Sequence, residues 1–261
     1  MTIILTFFRS TQVGEKRHHT DDDDESVETK LRKYNGFIEP IKANTHGFLV
    51  THPRDTDRHE ALDEAITILR ECVAKSPLKY KPGGEPCCFQ RRFVKTKHKQ
   101  NVGFIFIETN VEDPFILVDD MFTDMLASRV RKTKLCRRLR PVRVVSNMCK
   151  DIIVAVQDLV ATFVSKRSGG RCQYKLHWLG PKGTKEEQEK FDEGIKKCLP
   201  SELFELVTKN TSNDGEEILL LEMRVLKAAE VCMVTLLDNC IKFSGYNLKK
   251  ESESLGENEA E

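Results

Sequence analysis

The run "VGFIFIETNVEDPFILVDDMFTDM", residues 102–125, changes its hydrophobic rhythm midway. Up to Ile107 it is almost wholly apolar, so "VGFIFIE" (102–108) reads as a central strand covered on both faces. Beyond Asp113 the apolar residues fall at Phe115, Val118, Phe122, Met125 and Leu126, the spacing of one helical face. Asp113 can accept the first free amides of that helix. Pro114, which has no amide to satisfy, suits its first turn. A buried strand feeding a capped, amphipathic helix is the basic unit of an α/β protein.

The same alternation extends both ways along the chain. Upstream, "HGFLVT" (46–51) predicts a buried strand, and Asp57 with Glu60 predicts a helix start. Leu62, Ala65, Ile66, Leu69 and Val73 form its apolar face. "SPLKYKPGGEPCC" (76–88) reads as a loop from its Pro and Gly content. Downstream, Ile152, Ile153, Val156, Leu159, Val160 and Phe163 place a helix over 149–165. "CQYKLHW" (172–178) alternates with period two, as a half-buried strand does. Thr184 and Glu187 make a capping box for a charged helix. "FELV" (204–207), "EILLLEM" (216–222) and "VCMVTLL" (231–237) predict strands, with "NDG" (213–215) as the turn between the first two.

Charge is distributed unevenly over the 261 residues. The formal total is only +1, yet residues 1–28 hold seven acids against three bases, and 251–261 hold five Glu and no base. Residues 29–250 therefore carry 39 bases and 29 acids, a balance of +10. A basic body with acidic ends points to a polyanionic partner. The expected organisation is an acidic, weakly ordered segment over 1–42, α/β domains over 43–128 and 129–250, and an acidic disordered tail over 251–261. No membrane association is expected, because "TIILTFF" (2–8) is too short to span or to serve as a signal peptide. Nine cysteines without a CxxC pair read as reduced thiols of a cytoplasmic or nuclear protein, nucleolus included.

Catalytic chemistry is not legible. His46, His52 and His59 are six and seven residues apart across a strand and a turn, so they share no ligand face. "GPKGTK" (180–185) lacks the spacing and the ending of a phosphate loop, and "RSGGR" (167–171) follows a helix rather than a strand. No catalytic residue, metal or cofactor is implied, and the chain is not expected to be an enzyme.

The concentrated feature is "SRVRKTKLCRRLRPVRVV" (128–145): six Arg, two Lys and no acid. Folding alone offers little reason to crowd like charges. A phosphate backbone does, since each neutralised phosphate releases a counterion, and guanidinium groups suit bidentate phosphate contact. No aromatic residue interleaves with the run, which favours a structured RNA over a stacked single strand.

Four stretches resemble the THUMP-domain adaptor family of tRNA cytidine acetylation. They are "GFLVT" (47–51), "FIFIETNVEDPFILVDDMFTDM" (104–125), "LCRRLRPVRVVSNMCKDI" (135–152) and "EILLLEMRVLKAAEVCMVTLLDNCIKFSGYNLKK" (217–250). The family's Leu-Pro stands here as Leu139-Arg140-Pro141. The resemblance implies a ferredoxin-like domain (43–128) followed by a THUMP domain (129–250). It also implies a non-catalytic role, in which tRNA, chiefly serine and leucine species, is presented to a separate RNA cytidine acetyltransferase for N4-acetylcytidine formation in the D-arm. The alternative is a THUMP-containing tRNA-modifying enzyme with a diverged site. The expected RNA contacts are Arg129, Arg131, Lys132, Lys134, Arg137, Arg138 and Arg140, with Lys227 and Asn247 at family motif positions.

Overall fold

The computed structural model describes residues 40–53, 57–80, 86–92, 104–128, 133–167, 172–180, 184–207, 218–226, 229–238, 242–243 and 246–248. In chain order the elements are β1 (Thr45–Thr51), α1 (Arg58–Lys75), α2 (Pro77–Tyr80), β2 (Phe89–Arg92), β3 (Phe104–Thr109), α3 (Pro114–Ser128), β4 (Arg138–Ser146) and α4 (Cys149–Ser165). β5 (Cys172–Leu179), α5 (Lys185–Cys198), β6 (Phe204–Leu206), β7 (Ile218–Leu226) and β8 (Val231–Leu237) follow. The chain is mixed α/β, as expected.

Local signals act where the sequence puts them. Asp57 accepts the amide of His59 at 2.6 Å, and Asp113 accepts that of Phe115 at 2.9 Å, so both helices begin on a side-chain cap. Each such cap stabilises by about 1 kcal/mol. Thr184 and Glu187 form the reciprocal capping box of α5. Lys196 and Lys197 in its last turn complement the helix dipole.

The eight described strands join one sheet in the order β2-β3-β1-β4-β8-β7-β5-β6. The first five neighbouring pairs are antiparallel, and β7-β5-β6 run parallel to one another. β1-α1-β2-β3-α3-β4, with strand order β2-β3-β1-β4, is the βαββαβ arrangement of a ferredoxin-like unit. The C-terminal half of the basic run is β4, which pairs with β1 from Thr45↔Val144 to Thr51↔Arg138. One feature differs from the sequence reading: β6 and β7, expected to be joined by a turn, are not neighbours, because β5 lies between them and pairs parallel with both. The "NDG" turn falls outside the described residues.

The four long helices share one face of the sheet. Phe48, Val50, Ile105, Ile107 and Leu139 meet α1 and α3 in one core, and Tyr174, Leu219, Leu221, Met223, Cys232 and Val234 meet α4 and α5 in another. At Gly194 of α5 an added Cβ would overlap the side chain of Ile153, so glycine lets α4 and α5 approach closely. The first core is closed by the C-terminal segment. Phe243 stacks on Phe122 with ring centroids 5.1 Å apart, Tyr246 meets Phe122 edge-on at 5.2 Å, and the Leu139 amide donates to the Tyr246 carbonyl at 3.3 Å. The Tyr246 hydroxyl donates to Asp119 Oδ1 at 2.8 Å.

The opposite face bears a smaller cluster: Leu49, Phe104, Phe106, Val142, Val144, Val231 and Met233, with Ile41 packed against them. Its described members come from strands and short connecting segments, none from a long helix. Alternation along β4 and β7 continues this face into polar residues: Arg138, Arg140, Glu222 and Arg224. Eight described cysteines are free thiols. Among the described residues no helix is long and apolar enough to cross a membrane.

Candidate nucleic-acid interface

The entry to β4 is held by a carboxylate from α1. Glu64 accepts the Thr133 hydroxyl at 2.7 Å and the amides of Lys134, Leu135 and Cys136 at 2.6, 2.9 and 2.8 Å. Partial burial acts to raise the Glu64 pKa, but these four donors outweigh it and hold the carboxyl below its usual range. Thr133 and Cys136 are each only 2% exposed, and the Cys136 thiol donates to the Ala61 carbonyl at 2.9 Å. The backbone is thus fixed from below while the basic side chains of the segment stand above it.

Lys134, Arg137 and Arg138 are exposed. The Arg137 amide donates to the Thr51 carbonyl at 2.7 Å, which fixes the start of the strand. Arg138 has its pKa lowered by burial first and then by repulsion from Arg140 and Arg137. These three residues form one cationic ribbon at the head of β4.

Arg140 departs from the expectation of an exposed contact. It is 8% exposed, and its Nη1 lies 2.7 Å from Glu222 Oε2, itself in a residue 4% exposed. The reason is the period of the strand, which turns Arg140 onto the same sheet face as Glu222, so that the two meet across β8. Arg129, Arg131, Lys132 and Lys227 lie outside the described residues. Asn247 is half-buried, and its amide donates to the Phe243 carbonyl at 3.2 Å in the C-terminal turn.

Arg224 was not singled out by the sequence reading, yet it completes the cluster. Its Nη2 sits 3.7 Å from Glu222 Oε1, and its guanidinium carbon lies 5.2 Å from the centre of the Phe104 ring. His177 of β5 is the register partner of Glu222. Burial lowers the His177 pKa, with Glu222 acting upward and Arg140 downward. Arg140 and Arg224 therefore both reach the Glu222 carboxylate, whose charge also acts on Arg138.

The helix side offers a contrasting cleft of about 500 Å³, lined by His46, Asp113, Phe115, Arg143 and Thr162 among others. Its lining cations already face carboxylates: Arg143 lies 3.5 Å from Asp158, and Lys79 is 2.5 Å from Asp120. Among the described residues no group of three or more His, Cys, Asp or Glu could hold a metal ion.

No family model matches the chain, and no curated protein matches its sequence. Three solved structures overlay on part of it. PH1313 from Pyrococcus horikoshii Ot3 is 14% identical, with 74% of this chain and 54% of that one covered and a TM-score of 0.43. A 4-thiouridine synthetase in complex with RNA and bound ATP is 12% identical, with coverages of 74% and 41% and a TM-score of 0.39. TrmN from Thermus thermophilus is 14% identical, with coverages of 73% and 45% and a TM-score of 0.32. The chain spans about half the length, or less, of each of these proteins.

Proposed function

We propose that the chain is a non-catalytic tRNA-binding adaptor. In this reading it presents tRNA, serine and leucine species foremost, to an RNA cytidine acetyltransferase that forms N4-acetylcytidine in the D-arm. The observation that carries the RNA reading is the ribbon of Lys134, Arg137 and Arg138, exposed on a backbone that Glu64 pins from beneath. A preorganised cationic ribbon binds a phosphate backbone without first ordering the chain. The resemblance of residues 47–51, 104–125, 135–152 and 217–250 to the THUMP adaptor family supports tRNA as the RNA and the acetyltransferase as the partner. The work of this protein would take place in the cytoplasm or nucleus.

The test replaces Arg137 and Arg138 with Glu and follows serine tRNA binding by fluorescence anisotropy, with circular dichroism to verify the fold. Wild type should bind with a logarithmic salt slope of about −0.7 to −0.9 per phosphate contacted, and the double variant should lose binding. Undiminished binding by a folded double variant rejects the ribbon. Acetylation of tRNA should require both this protein and the acetyltransferase. Product formed from acetyl-CoA by this protein alone would instead make it an enzyme.

A further inference from the structure

We propose that the helix-free face of the sheet contains a discrete phosphate site, walled by Arg138 and Arg224, with Thr235 as a further donor and the Arg140–Glu222 pair as its floor. That the phosphate belongs to an RNA rests on the reading above; the existence of the site does not.

The first argument is charge. Among the described residues, Glu222 is the carboxylate that acts on both Arg138 and Arg224, and it is already 2.7 Å from Arg140. The Arg138 and Arg224 guanidiniums therefore share a carboxylate that Arg140 already holds, which leaves positive charge where water is partly excluded. Such charge is unfavourable until an anion joins it. The flanking strand does not supply one, because β5 turns Lys175 and His177 to this face, in register with Leu220 and Glu222.

The second argument is unsatisfied donors. Among the described residues no acceptor meets the buried Nε of Arg224 or the Oγ1 of Thr235, although Thr235 is only 2% exposed. Buried polar atoms in native proteins are paired in the great majority of cases. Thr235 is the register partner of Glu222, and Arg224 lies two residues further along β7, so both belong to one patch of the face. A tetrahedral oxyanion supplies several acceptors to donors converging from different directions.

The third argument is access. The Arg224 side chain is 28% exposed above the Phe104 ring, and Arg138 is exposed at the head of β4. The mouth of the site is therefore open while its floor is buried. Lys134 and Arg137, the members of the ribbon that precede Arg138, can bind phosphate anywhere along a backbone. The Arg138–Arg224 patch adds buried, unsatisfied donors, and so favours a single phosphate group.

Two variants test the site in the full chain. Arg224→Gln removes a wall charge, and Thr235→Val removes one hydroxyl with little change in shape. Thermal unfolding is followed in low-millimolar inorganic phosphate against chloride at matched ionic strength, far below the concentrations at which phosphate acts as a general stabiliser. Wild type should melt higher in phosphate, because a ligand held only by the folded state stabilises it. Both variants should lose most of that rise. A parallel series measures tRNA affinity against salt. Loss of about 0.7–0.9 from the logarithmic slope in Arg224→Gln identifies an RNA phosphate. An unchanged slope with a lost phosphate response identifies a free phosphorylated ligand at the same site. No phosphate-specific rise in wild type, or an equal rise in Thr235→Val and wild type, overturns the proposal whatever tRNA does. If wild type fails to bind tRNA, the adaptor reading falls, and the phosphate series still decides the site.

Discussion

Glu64 Oε1 accepts the backbone amide of Lys134 at 2.6 Å, so an acidic residue on α1 supports a basic one seventy positions later without neutralising its side chain. The pairing is between carboxylate and main chain. It fixes where the cations stand and leaves their charge for a ligand.

Replacing Glu64 with Ala should therefore affect both folding and binding. The amides of Lys134 and Leu135 lose their side-chain acceptor, and Cys136 and Thr133 keep the bonds they make to each other, at a cost of about 2 kcal/mol in urea unfolding. tRNA affinity should fall although no cation was removed, which anisotropy at fixed salt will read. The pH dependence has a definite sign. The Glu64 pKa is lowered in the folded state, so its contribution is complete above the unfolded value near ~4.3 and disappears as pH falls through the lower folded value. Glu64→Gln should flatten that acid limb of the stability curve.

The Arg140–Glu222 pair should be far more sensitive to losing one member than both. Glu222→Ala leaves a buried guanidinium facing Arg138 and Arg224, and should destabilise by about 3–5 kcal/mol. Arg140→Met combined with Glu222→Leu should restore most of that stability in chemical denaturation. A double variant as weak as the single one would show that the pair is worth more than its removal relieves.

Asp119 gives the opposite pH signature. Burial first, and then the Asp238 carboxylate, push its pKa up to about 6, against the Tyr246 hydroxyl that donates to it. Between the unfolded value of ~3.9 and about 6 the folded chain holds more protons than the unfolded one. Stability accordingly falls as pH rises through that window. Asp119→Asn should stabilise by about 1–3 kcal/mol at pH 7, and the gain should shrink as wild type becomes protonated. Unfolding curves of both proteins across the window check it.

Gly47 sits in β1 opposite Glu108 of β3, where an added Cβ would overlap the Ile107 carbonyl oxygen. Gly47→Ala should destabilise by about 1–3 kcal/mol, because the neighbour in its way is backbone rather than a flexible side chain. Guanidinium unfolding of the variant is sufficient. A change within a few tenths of wild type would mean that the β1–β3 spacing adjusts.

What was legible in the sequence was what neighbours decide. Asp113 caps the helix that follows it, Thr184 and Glu187 cap each other, and α4 spans the residues its periodicity marked, 149–165. What escaped reading depends on residues far apart. Arg140 looked like one more cation of a run because Glu222, eighty-two positions on, cannot be seen from it. The same distance hides Glu64 from the 133–136 turn. A direct turn was expected between β6 and β7 because both are apolar runs flanking a turn sequence, while the strand that separates them, β5, precedes both. "FQRR" (89–92) forms edge strand β2 despite its polar composition, since Arg92 reaches Glu108 across the ladder at 2.6 Å. Arg224 carries no local mark at all; its role comes from the alternation that sets it beside Glu222.

The interleaved strand order has a consequence for synthesis. β4 sits between β1, which is made early, and β8, which is made nearly last. A nascent chain released only as far as β7 would hold the βαββαβ elements without the Phe243–Tyr246 segment that closes their core and with one flank of β4 bare, its amides and carbonyls open to any passing strand. The chain gains protection from aggregation only when residues 231–237 emerge, so premature termination anywhere before them should yield an insoluble product rather than a smaller folded one.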